Sequence, residues 1–353
     1  MPVFSKTFLI RPALLPMMAA LPAHHPIIIG EKVVRMKRTK SAAGAPTVRK
    51  HGFLWEMKRN YPYYLMILPA AVVMFIFAYL PLPGLSIAFM DFNFMDRFSS
   101  PFVGLDNFKF FFTSEYAART TFNTLFININ YLVWTTFTAV LFAILLNELR
   151  GKFGKKIYQN AMFLPYFFSS VVIGKLVNLI VFSDSMGVAN QIVTMFGGEK
   201  VIWSQDPSPW AWIIIGTHVW QVAGYNSIVY LASITGIDDQ LFEAANLDGA
   251  GRLQQIRYIT LPMLLPTIIT MSLLSIGGML RGDFATIYSI IEENGLLYKY
   301  TDVIDTYIFR AIKQAADFGP TAAVGLYQSV VGFILVFGSN ALVKLYDKDY
   351  ALF

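Results

Sequence analysis

The sequence predicts an all-α integral membrane protein that crosses the bilayer six times. Its 353 residues are 56% hydrophobic and only 14% charged, and the mean hydropathy is +0.52. A soluble domain carries about 25% charged residues, so this chain has too little polar surface to cover a water-soluble body of its size. Its 31 Phe and 18 Tyr fit the same class, because lipid-facing helices and interfacial belts are rich in aromatic residues.

Cysteine and histidine usage excludes several classes of site. The chain has no cysteine, which excludes disulfide scaffolds, iron–sulfur clusters, thiolate zinc sites and cysteine nucleophiles. Three of the four histidines lie within the first 51 residues, so few imidazoles remain for a metal cluster elsewhere. We expect no metal site. We expect His218, the one histidine in a predicted span, to be a packed or pore-lining residue and not a catalyst.

Residues 1–60 form a basic segment ahead of the first apolar run. They hold 11 Lys or Arg against two Glu, whereas the remaining chain holds 17 basic and 20 acidic residues. The positive-inside rule therefore predicts a cytoplasmic tail. A nucleic-acid-binding arm is the alternative, but a basic tail beside a membrane span is much the commoner arrangement, and we expect no nucleic-acid partner.

Two features of this tail concern where the mature chain starts. Residues 7–23 resemble a weak signal sequence whose apolar core is interrupted by Arg11, Pro12 and Pro16. Met36 opens a Met-Lys-Arg-Thr-Lys run that is typical of a bacterial N-terminus, so Met36 is an alternative start. Either interpretation leaves the apolar part of the chain unchanged.

Six apolar segments have the length of about 20 residues that a helix needs to cross a bilayer. In chain order they are 63–85, 122–146, 157–182, 210–234, 263–285 and 322–346. Pro69 and Pro165 fall in the first halves of their spans, where a missing N–H costs least. We therefore assign residues 61–350 to one six-helix transmembrane domain in a lipid membrane.

Charge in the loops sets the predicted orientation. Residues 147–156 contain four basic residues in ten, whereas the loop 183–208 contains three acidic residues against one Lys. Because basic loops stay inside, we expect both termini and the loop 235–262 to face the cytoplasm. The long loops 86–121 and 286–321 then face outward, and we expect short interfacial helices in both.

The loop between the fourth and fifth spans has the pattern of a short helix that docks into another protein. Asp238 suits an N-cap, and residues 241–245 give the helix one apolar, partly flat face. Gly249 stands where a left-handed C-terminal cap is needed, so the helix should stop after two to three turns. A second short helix is expected from Ala250, with Pro262 in the first turn of the fifth span.

The residues of this loop also carry a resemblance to a known family. They include Glu243, Ala244, Ala245 and Gly249, followed ten residues later by Ile259, Thr260, Leu261 and Pro262. In order and spacing they resemble the EAA signature of ABC-importer permeases, whose loop forms the coupling helix and sits in a groove of a cytoplasmic ATPase subunit. The resemblance implies an ATPase-coupling role for Glu243, Ala244, Ala245, Asp248, Gly249, Leu261 and Pro262. Glu-Ala-Ala alone is a common helix tripeptide, but the full spacing between spans four and five is rarely a coincidence.

Other segments resemble the carbohydrate branch of that family, which includes the maltose-type permeases. They are residues 123–125, 224–226 and 104–108. Residues 63–69 and 87–89 resemble the subgroup that imports complex oligosaccharides and polysaccharide fragments. The resemblance covers residues 62–350. It implies the type I ABC importer permease fold, oligosaccharide import and a place in the bacterial cytoplasmic membrane.

The resemblance also implies several partners. Six spans make half a pore, so a second permease subunit is required, most simply in a heterodimer. Two ATP-binding subunits and an extracytoplasmic solute-binding protein would complete the importer. The chain has no Gly-x-x-x-x-Gly-Lys-Ser/Thr phosphate loop, so we expect it to be non-catalytic and without a cofactor, with ATP and Mg²⁺ on the partner ATPase. A self-sufficient secondary transporter or channel is the alternative, but the spans hold few carboxylates for ion coupling besides Asp283.

Polar side chains in the fourth and fifth spans are the candidates for a sugar pathway, because they are costly in lipid and usually face a cavity or another helix. We single out Gln221, Tyr225, Asn226, Ser275, Arg281 and Asp283. In maltose-type permeases, sugar-contacting positions lie about 18 residues before and about 32 residues after the signature Glu, which correspond here to Tyr225 and Ser275. Helix–helix hydrogen bonds within the bundle are the alternative role for each.

Arg281 near the outer mouth of the fifth span suggests an acidic substrate. A guanidinium at this depth suits a carboxylate on a uronic-acid oligosaccharide. The alternative is an ion pair of Arg281 with Asp283 or with a neighbouring subunit.

Overall fold

The structure is a computed structural model that describes residues 55, 58–149, 151–315 and 318–352. Within these ranges every regular element is helical, apart from a single antiparallel bridge between Met90 and Phe102. The predicted tail 1–60 lies outside the described residues except for 55 and 58–60. The chain divides into two compact units, residues 1–71 and 72–353.

The α-helices are numbered in chain order. They are α1 (Tyr61–Met74), α2 (Asp106–Thr113), α3 (Glu115–Glu148), α4 (Lys152–Phe163), α5 (Ser170–Lys175), α6 (Val188–Met195), α7 (Trp210–Thr235), α8 (Asp239–Leu247), α9 (Arg252–Gln255), α10 (Leu261–Ile276), α11 (Phe284–Ile291), α12 (Tyr298–Thr301), α13 (Ile304–Ala315) and α14 (Phe318–Tyr346). Three of them continue directly into π turns: α1 into Phe75–Tyr79, α5 into Leu176–Val181 and α9 into Ile256–Thr260. The short helices expected in the two long loops are present as α2, α12 and α13.

Within the described residues, four helical stretches are long and apolar enough to cross a membrane. They are Tyr61–Phe89, Glu115–Glu148, Arg252–Ile276 and Phe318–Leu345. They overlap the predicted first, second, fifth and sixth spans. No residue of α1 is buried within the chain, as expected for a helix whose apolar side chains face lipid or another subunit.

The predicted third span is broken in the structure. Phe153–Phe167 and Ser170–Val181 meet at an angle of 92°, and they count as a fifth span only when the pair is taken together. Pro165 starts the break, because a 3-10 turn replaces the α-helix around it and Phe168 is extended. The Ser169 hydroxyl then accepts a hydrogen bond from the Val172 N–H and caps the next helix. The third span, predicted over 157–182, is therefore bent at Pro165 in its first half.

The predicted fourth span forms α7, a helix of 26 residues that is long enough to cross a bilayer. It is less apolar than the four spanning candidates, because its middle carries Thr217, His218, Gln221 and Asn226. This helix packs along most of the length of α3. Of its polar middle residues, His218 and Asn226 line the cavity described below, Thr217 is buried, and Gln221 contacts the break in the third span.

The predicted fifth span ends early. Helix α10 stops at Ile276, nine residues before the predicted end at 285, and a turn precedes α11. Two adjacent glycines, Gly277 and Gly278, weaken the helix at this point. Side chains from distant parts of the chain then bind the backbone groups that a continuing helix would use: Gln328 Nε2 donates to the Leu280 carbonyl at 2.8 Å, and the Asp305 carboxylate accepts from the Gly282 N–H.

Two of the three apolar core clusters in the described residues follow the α3–α7 pair. One joins residues of α3, α5, α7 and α11: Ile127, Tyr131, Ile173, Trp210, Ile214, Ile287 and Ile290. The other lies toward the ends of α3 and α7 and includes Ala143, Leu146, Tyr230, Ile234 and Leu264. Small residues allow close approach at two crossings. A Cβ added to Gly224 would lie 1.9 Å from the Met162 carbonyl oxygen, and one added to Gly174 would lie 2.4 Å from the Ser289 Cβ.

Candidate functional site

The predicted docking loop forms a short, fully capped helix, α8. Asp238 Oδ1 accepts a hydrogen bond from the Gln240 N–H at 3.0 Å at its start. At its end Gly249 adopts a φ of +78°, and the Ala250 N–H binds the Ala245 carbonyl at 2.9 Å. This 6→1 bond around a left-handed glycine is the Schellman stop. The predicted N-cap, helix length and C-cap are confirmed.

The segment after α8 is fixed by side chains that the sequence reasoning did not single out. Gln255, which is only 3% exposed, donates from Nε2 to Asn246 Oδ1 at 2.6 Å and to the Ala250 carbonyl at 3.1 Å. Arg252 Nε lies 3.8 Å from Glu148 Oε2 at the end of α3. These contacts tie the turn between α8 and α9 to the helix that follows and to α3, so that α8 is held in a defined place.

The predicted coupling residues lie on the surface. Glu243, Ala244, Asp248 and Gly249 are exposed, and Ala245 is half-buried. Apolar side chains stand beside them: Leu247 is 90% exposed and Leu253 is 81% exposed. Exposed leucines on a short helix without any buried residue indicate a surface that another protein covers.

Leu261 and Pro262 lie in the first turn of α10, as predicted for Pro262. The chain enters this helix from α9 without a break, so α9, the turn and α10 form one span from Arg252 to Ile276. A π turn over Ile256–Thr260 directly precedes the proline. The wider turn accommodates a ring that would otherwise clash with the preceding turn of an α-helix.

A central cavity of about 290 Å³ lies between α3, α7, α10 and the turn before α11. It brings together four of the six predicted pathway residues, Asn226, Ser275, Arg281 and Asp283. The remaining polar lining residues are Asn128, Tyr131, Thr135, Thr136, His218 and Tyr230. The cavity therefore offers hydroxyls, amides and both signs of charge within one space.

One wall of the cavity is formed by three side chains in contact, Tyr131, His218 and Asp283. The Tyr131 ring lies parallel to the His218 ring, with centroids 3.7 Å apart and planes 9° apart. His218 Nδ1 lies 3.3 Å from Asp283 Oδ2, and Asp283 Oδ1 accepts from the Thr286 N–H at 3.2 Å as the cap of α11. The expected pore-lining role of His218 matches this position.

Two buried hydroxyls in this wall have no hydrogen-bond partner among the described residues. They belong to Tyr131 and Thr135, which are 6% and 8% exposed. A buried polar group without a partner is costly, so such groups mark places where a ligand or water completes the bonding. Sequence reasoning missed both, although Asn128, Tyr131 and Thr135 follow one helical face of α3.

Arg281 is exposed at the cavity and forms no ion pair with Asp283, whose carboxylate faces His218 instead. The expected Arg281–Asp283 pair is therefore not the arrangement in this chain. The guanidinium interacts electrostatically with the half-buried Asp305 carboxylate but forms no salt bridge with it, so its N–H donors remain available to the cavity.

Gln221 and Tyr225 do not line the central cavity. Gln221 Nε2 donates to the Phe168 carbonyl at 3.3 Å, where the third span breaks. The Tyr225 ring stacks on Tyr166 with centroids 4.0 Å apart. Both residues thus contact the broken span, which corresponds to the helix–helix alternative for them.

The Asn123 and Thr124 pair, part of the carbohydrate-branch resemblance, has a structural role. Asn123 Nδ2 donates to the Asp302 carbonyl at 3.1 Å, and the Thr124 hydroxyl accepts from the Ile304 N–H at 3.0 Å. Asp302 itself is buried and accepts two hydrogen bonds from Arg310, at 2.8 and 2.7 Å. These bonds fasten the start of α3 to the segment between α12 and α13.

Comparison with known proteins places this arrangement in a family. The model of the family described as "binding-protein-dependent transport system inner membrane component" matches residues 139–348. The polygalacturonan/rhamnogalacturonan transport system permease protein YteP of Bacillus subtilis (strain 168) is 35% identical over 81% of this chain and 88% of its own length. Protein LplB of the same organism is 33% identical over 84% of this chain and 94% of its own length.

Solved structures agree with the family. A chain of a bacterial ABC transporter involved in the import of the acidic polysaccharide alginate has a TM-score of 0.76 and 34% identity, over 83% of this chain and 99% of that one. A chain of the bacterial alginate ABC transporter in complex with an alginate pentasaccharide-bound periplasmic protein has a TM-score of 0.76 and 33% identity, over 84% of this chain and 98% of that one. These matches give no support to a self-sufficient transporter or channel. The chain belongs to the binding-protein-dependent inner-membrane permeases of ABC transporters.

Proposed function

We propose that this chain is one of two permease subunits of an ATP-driven importer for acidic oligosaccharides. A second permease completes the pore, two separate ATPase subunits bind ATP and Mg²⁺, and an extracytoplasmic solute-binding protein delivers the sugar. The chain itself carries out no chemistry. The permeases and importers it resembles are named for polygalacturonan, rhamnogalacturonan and alginate, which supports this substrate class.

The observation that carries the proposal is the direct connection between α8 and the central cavity. The exposed α8 is tied by Gln255 to α9, and a continuous helix leads from Arg252 to Ile276. That helix presents Ser275 to the cavity. A displacement of α8 by an ATPase subunit is therefore transmitted along one stiff element to the residues that would contact the sugar.

We propose six spans with both termini in the cytoplasm. The bent pair of the third span and the polar α7 would each cross the bilayer inside the protein, where neighbouring helices satisfy irregular backbone and polar side chains. Helix α3 has 34 residues and is about 50 Å long, against about 30 Å for the hydrocarbon core. Its last residue, Glu148, lies beside Arg252, so its other end lies on the opposite face from α8.

Acidic cargo is supported by Arg281, which has no ion-pair partner among the described residues and borders a cavity rich in hydroxyls. A uronate carboxylate would accept two hydrogen bonds from the guanidinium. The test is ATP-dependent uptake of trigalacturonate and of neutral galactotriose by reconstituted Arg281→Gln, with Arg281→Lys as a charge-preserving control. We expect Arg281→Gln to lose the acidic substrate selectively. An equal loss for both sugars would contradict an acidic substrate at this residue.

The transporter class is tested by purification of the tagged chain from gently solubilised native membranes, followed by mass spectrometry of its partners. We expect a second six-span permease and an ATPase with a phosphate-binding loop to copurify. Uptake in vesicles should then require ATP. Uptake driven by a proton gradient without ATP would instead point to a secondary transporter.

A further inference from the structure

A second, shallow cavity of about 430 Å³ shares no lining residue with the central one. It is lined by Tyr116, Arg119, Glu293, Tyr298, Tyr307, Arg310, Ala311 and Gln314. Arg119 lies in the second turn of α3, and 29 residues of helix, about 44 Å, separate it from Glu148 at the other end. Because Glu148 lies beside the segment that follows α8, this cavity belongs to the opposite, outer face of the permease.

Two arginines in this cavity share one buried carboxylate. The Asp302 side chain is 0% exposed and binds Arg310 through two hydrogen bonds, at 2.8 and 2.7 Å. The bond from Arg119 Nη2 to the same carboxylate is longer, 3.3 Å. Arg119 Nε is buried without a partner among the described residues, and one third of the Arg119 side chain is exposed to the cavity. Asp302 thus satisfies Arg310 but not Arg119.

The cavity therefore has a surplus of positive charge. Two guanidinium groups face one carboxylate, and the other charged groups near the rim, Glu293 and Lys313, form an ion pair. The hydrogen bond from Lys313 lowers the pKa of Glu293. A partly exposed guanidinium suits a carboxylate better than an ammonium group does, because its planar fork can bind both carboxylate oxygens.

The remaining lining suits a sugar ring. The Tyr116 ring is 48% exposed, with Tyr307 packed against it at a centroid distance of 5.8 Å and the Arg119 guanidinium carbon 5.1 Å from its centroid. Arg119 and Tyr116 thus place a cation and the exposed part of an aromatic ring side by side. The exposed Gln314 amide offers a partner for ring hydroxyls. The cavity therefore combines a carboxylate receptor with an aromatic side chain and a polar group.

We propose that this outer cavity is a separate subsite for one uronate unit of the incoming oligosaccharide, with the sugar carboxylate bound by Arg119 and the ring held at Tyr116. It rests on the proposed acidic cargo. The subsite would hold the sugar at the outer face before it reaches the central cavity.

The test is equilibrium binding of trigalacturonate to the purified importer in lipid nanodiscs without the solute-binding protein. All variants carry Arg281→Gln, so that the central cavity does not contribute. We expect Arg119→Gln to weaken binding about tenfold, because a hydrogen bond to a charged group is lost. Lys109→Gln, which removes an exposed positive charge from α2, is the matched control and should bind as the parent does. Galactotriose binding should not change in either variant.

A second variant keeps the test valid if Arg119→Gln fails to fold. Gln314→Glu adds a negative charge at the exposed rim without touching Asp302, and it should also weaken trigalacturonate binding about tenfold, the scale of one charge-assisted bond. Unchanged binding in both variants, or no binding to the parent complex, would overturn the subsite. A third result would also overturn it: the variants bind trigalacturonate with unchanged affinity but lose the ATPase activity that the solute-binding protein stimulates, with acidic and neutral cargo alike. That result would mean that the cavity binds a carboxylate of the solute-binding protein. Failure of the proposed function has a different signature: the wild-type importer would show no ATP-dependent uptake of trigalacturonate.

Discussion

Asp283 Oδ2 lies 3.3 Å from His218 Nδ1 and so joins the start of α11 to α7 across the central cavity. The same carboxylate caps α11 through the Thr286 N–H. One side chain therefore has two separable roles: it supplies negative charge to the cavity and a hydrogen-bond acceptor to a helix terminus.

Asp283→Asn should separate these roles. Asparagine is as good an N-cap as aspartate, so the thermal midpoint should stay close to that of the wild type, whereas Asp283→Ala should lose about 1 kcal/mol with the cap. Without the carboxylate the cavity becomes more positive, and KM for trigalacturonate should fall while KM for galactotriose stays constant. Uptake kinetics and thermal unfolding measure the two effects. A parallel change in both KM values would show that Asp283 acts only by positioning the helix.

Gly249 should tolerate asparagine but not proline. Nothing lies within 4 Å of a Cβ added at this position, so the constraint is its φ of +78° and not space. Asparagine adopts left-handed conformations with little cost, whereas the proline ring fixes φ near −65° and destroys the stop of α8. We expect Gly249→Asn to transport normally and Gly249→Pro to hydrolyse ATP without uptake. The ratio of uptake to ATP hydrolysis in proteoliposomes is the measurement, and normal coupling in Gly249→Pro would contradict the role of α8.

Two glycines of α7 should respond oppositely to alanine. A Cβ on Gly224 would overlap the Met162 carbonyl oxygen, so Gly224→Ala must push α7 away from α4 and should lower the thermal midpoint by several degrees. Gly216 has nothing within 4 Å of an added Cβ, and Gly216→Ala should be neutral or stabilise the helix by about 0.5–1 kcal/mol. Tryptophan fluorescence during heating compares the two. Equal behaviour would show that the α7–α4 contact is not tight.

Arg310→Met should be far more damaging than Lys313→Met on the same helix. The first variant leaves the buried Asp302 carboxylate with the Thr306 hydroxyl bond and, as its remaining cation, only the distant Arg119, and such a loss costs about 3–5 kcal/mol. Lys313 pairs with Glu293 at the exposed surface, where a pair contributes about 1 kcal/mol or less. The yield of folded protein and its thermal midpoint are the measurements. Comparable stability of the two variants would mean that Asp302 finds another partner.

Because the chain has no cysteine, single-cysteine variants test its orientation without background. Leu247 on α8 and Met95 in the loop before α2 are 90% and 89% exposed. We expect a membrane-impermeant maleimide to label Met95→Cys in intact spheroplasts, and Leu247→Cys only after the membrane is opened. The reverse pattern would invert the proposed topology.

The sequence predicted best the features that depend on one residue and its immediate neighbours in the chain. The cap at Asp238 and the stop at Gly249 depend on single residues whose conformational preferences are strong, and both are as expected. The early end of α10 was not predictable in this way. It depends on Gln328 and Asp305, which bind the backbone near Leu280 from 48 and 23 residues away. Such contacts exist only once the fold has formed.

The cavity was predicted in part. Counting from the family signature selected Tyr225, but the neighbouring Asn226 lines the cavity while Tyr225 stacks on Tyr166. Successive side chains of an α-helix point about 100° apart, so an error of one position selects a residue that packs on a neighbouring helix instead of one that lines the cavity. The contribution of α3 was missed because candidates were sought only in the fourth and fifth spans, although Asn128, Tyr131 and Thr135 share one face of α3.

The three π turns have a consequence for how this chain is aligned with its relatives. Each π turn inserts one residue into the winding of a helix, which rotates everything beyond it by about 100° in angular phase. Because of the insertion at Ile256–Thr260, the side chains of Leu261–Ile276 are rotated about the helix axis relative to those of Arg252–Gln255. A relative that lacks the inserted residue would present the neighbouring side chain, Leu274 or Ile276, at the angle that Ser275 occupies here. Cavity-facing positions in this family should therefore be compared by their angle around the helix axis. A sequence alignment without gaps does not guarantee that aligned residues share that angle.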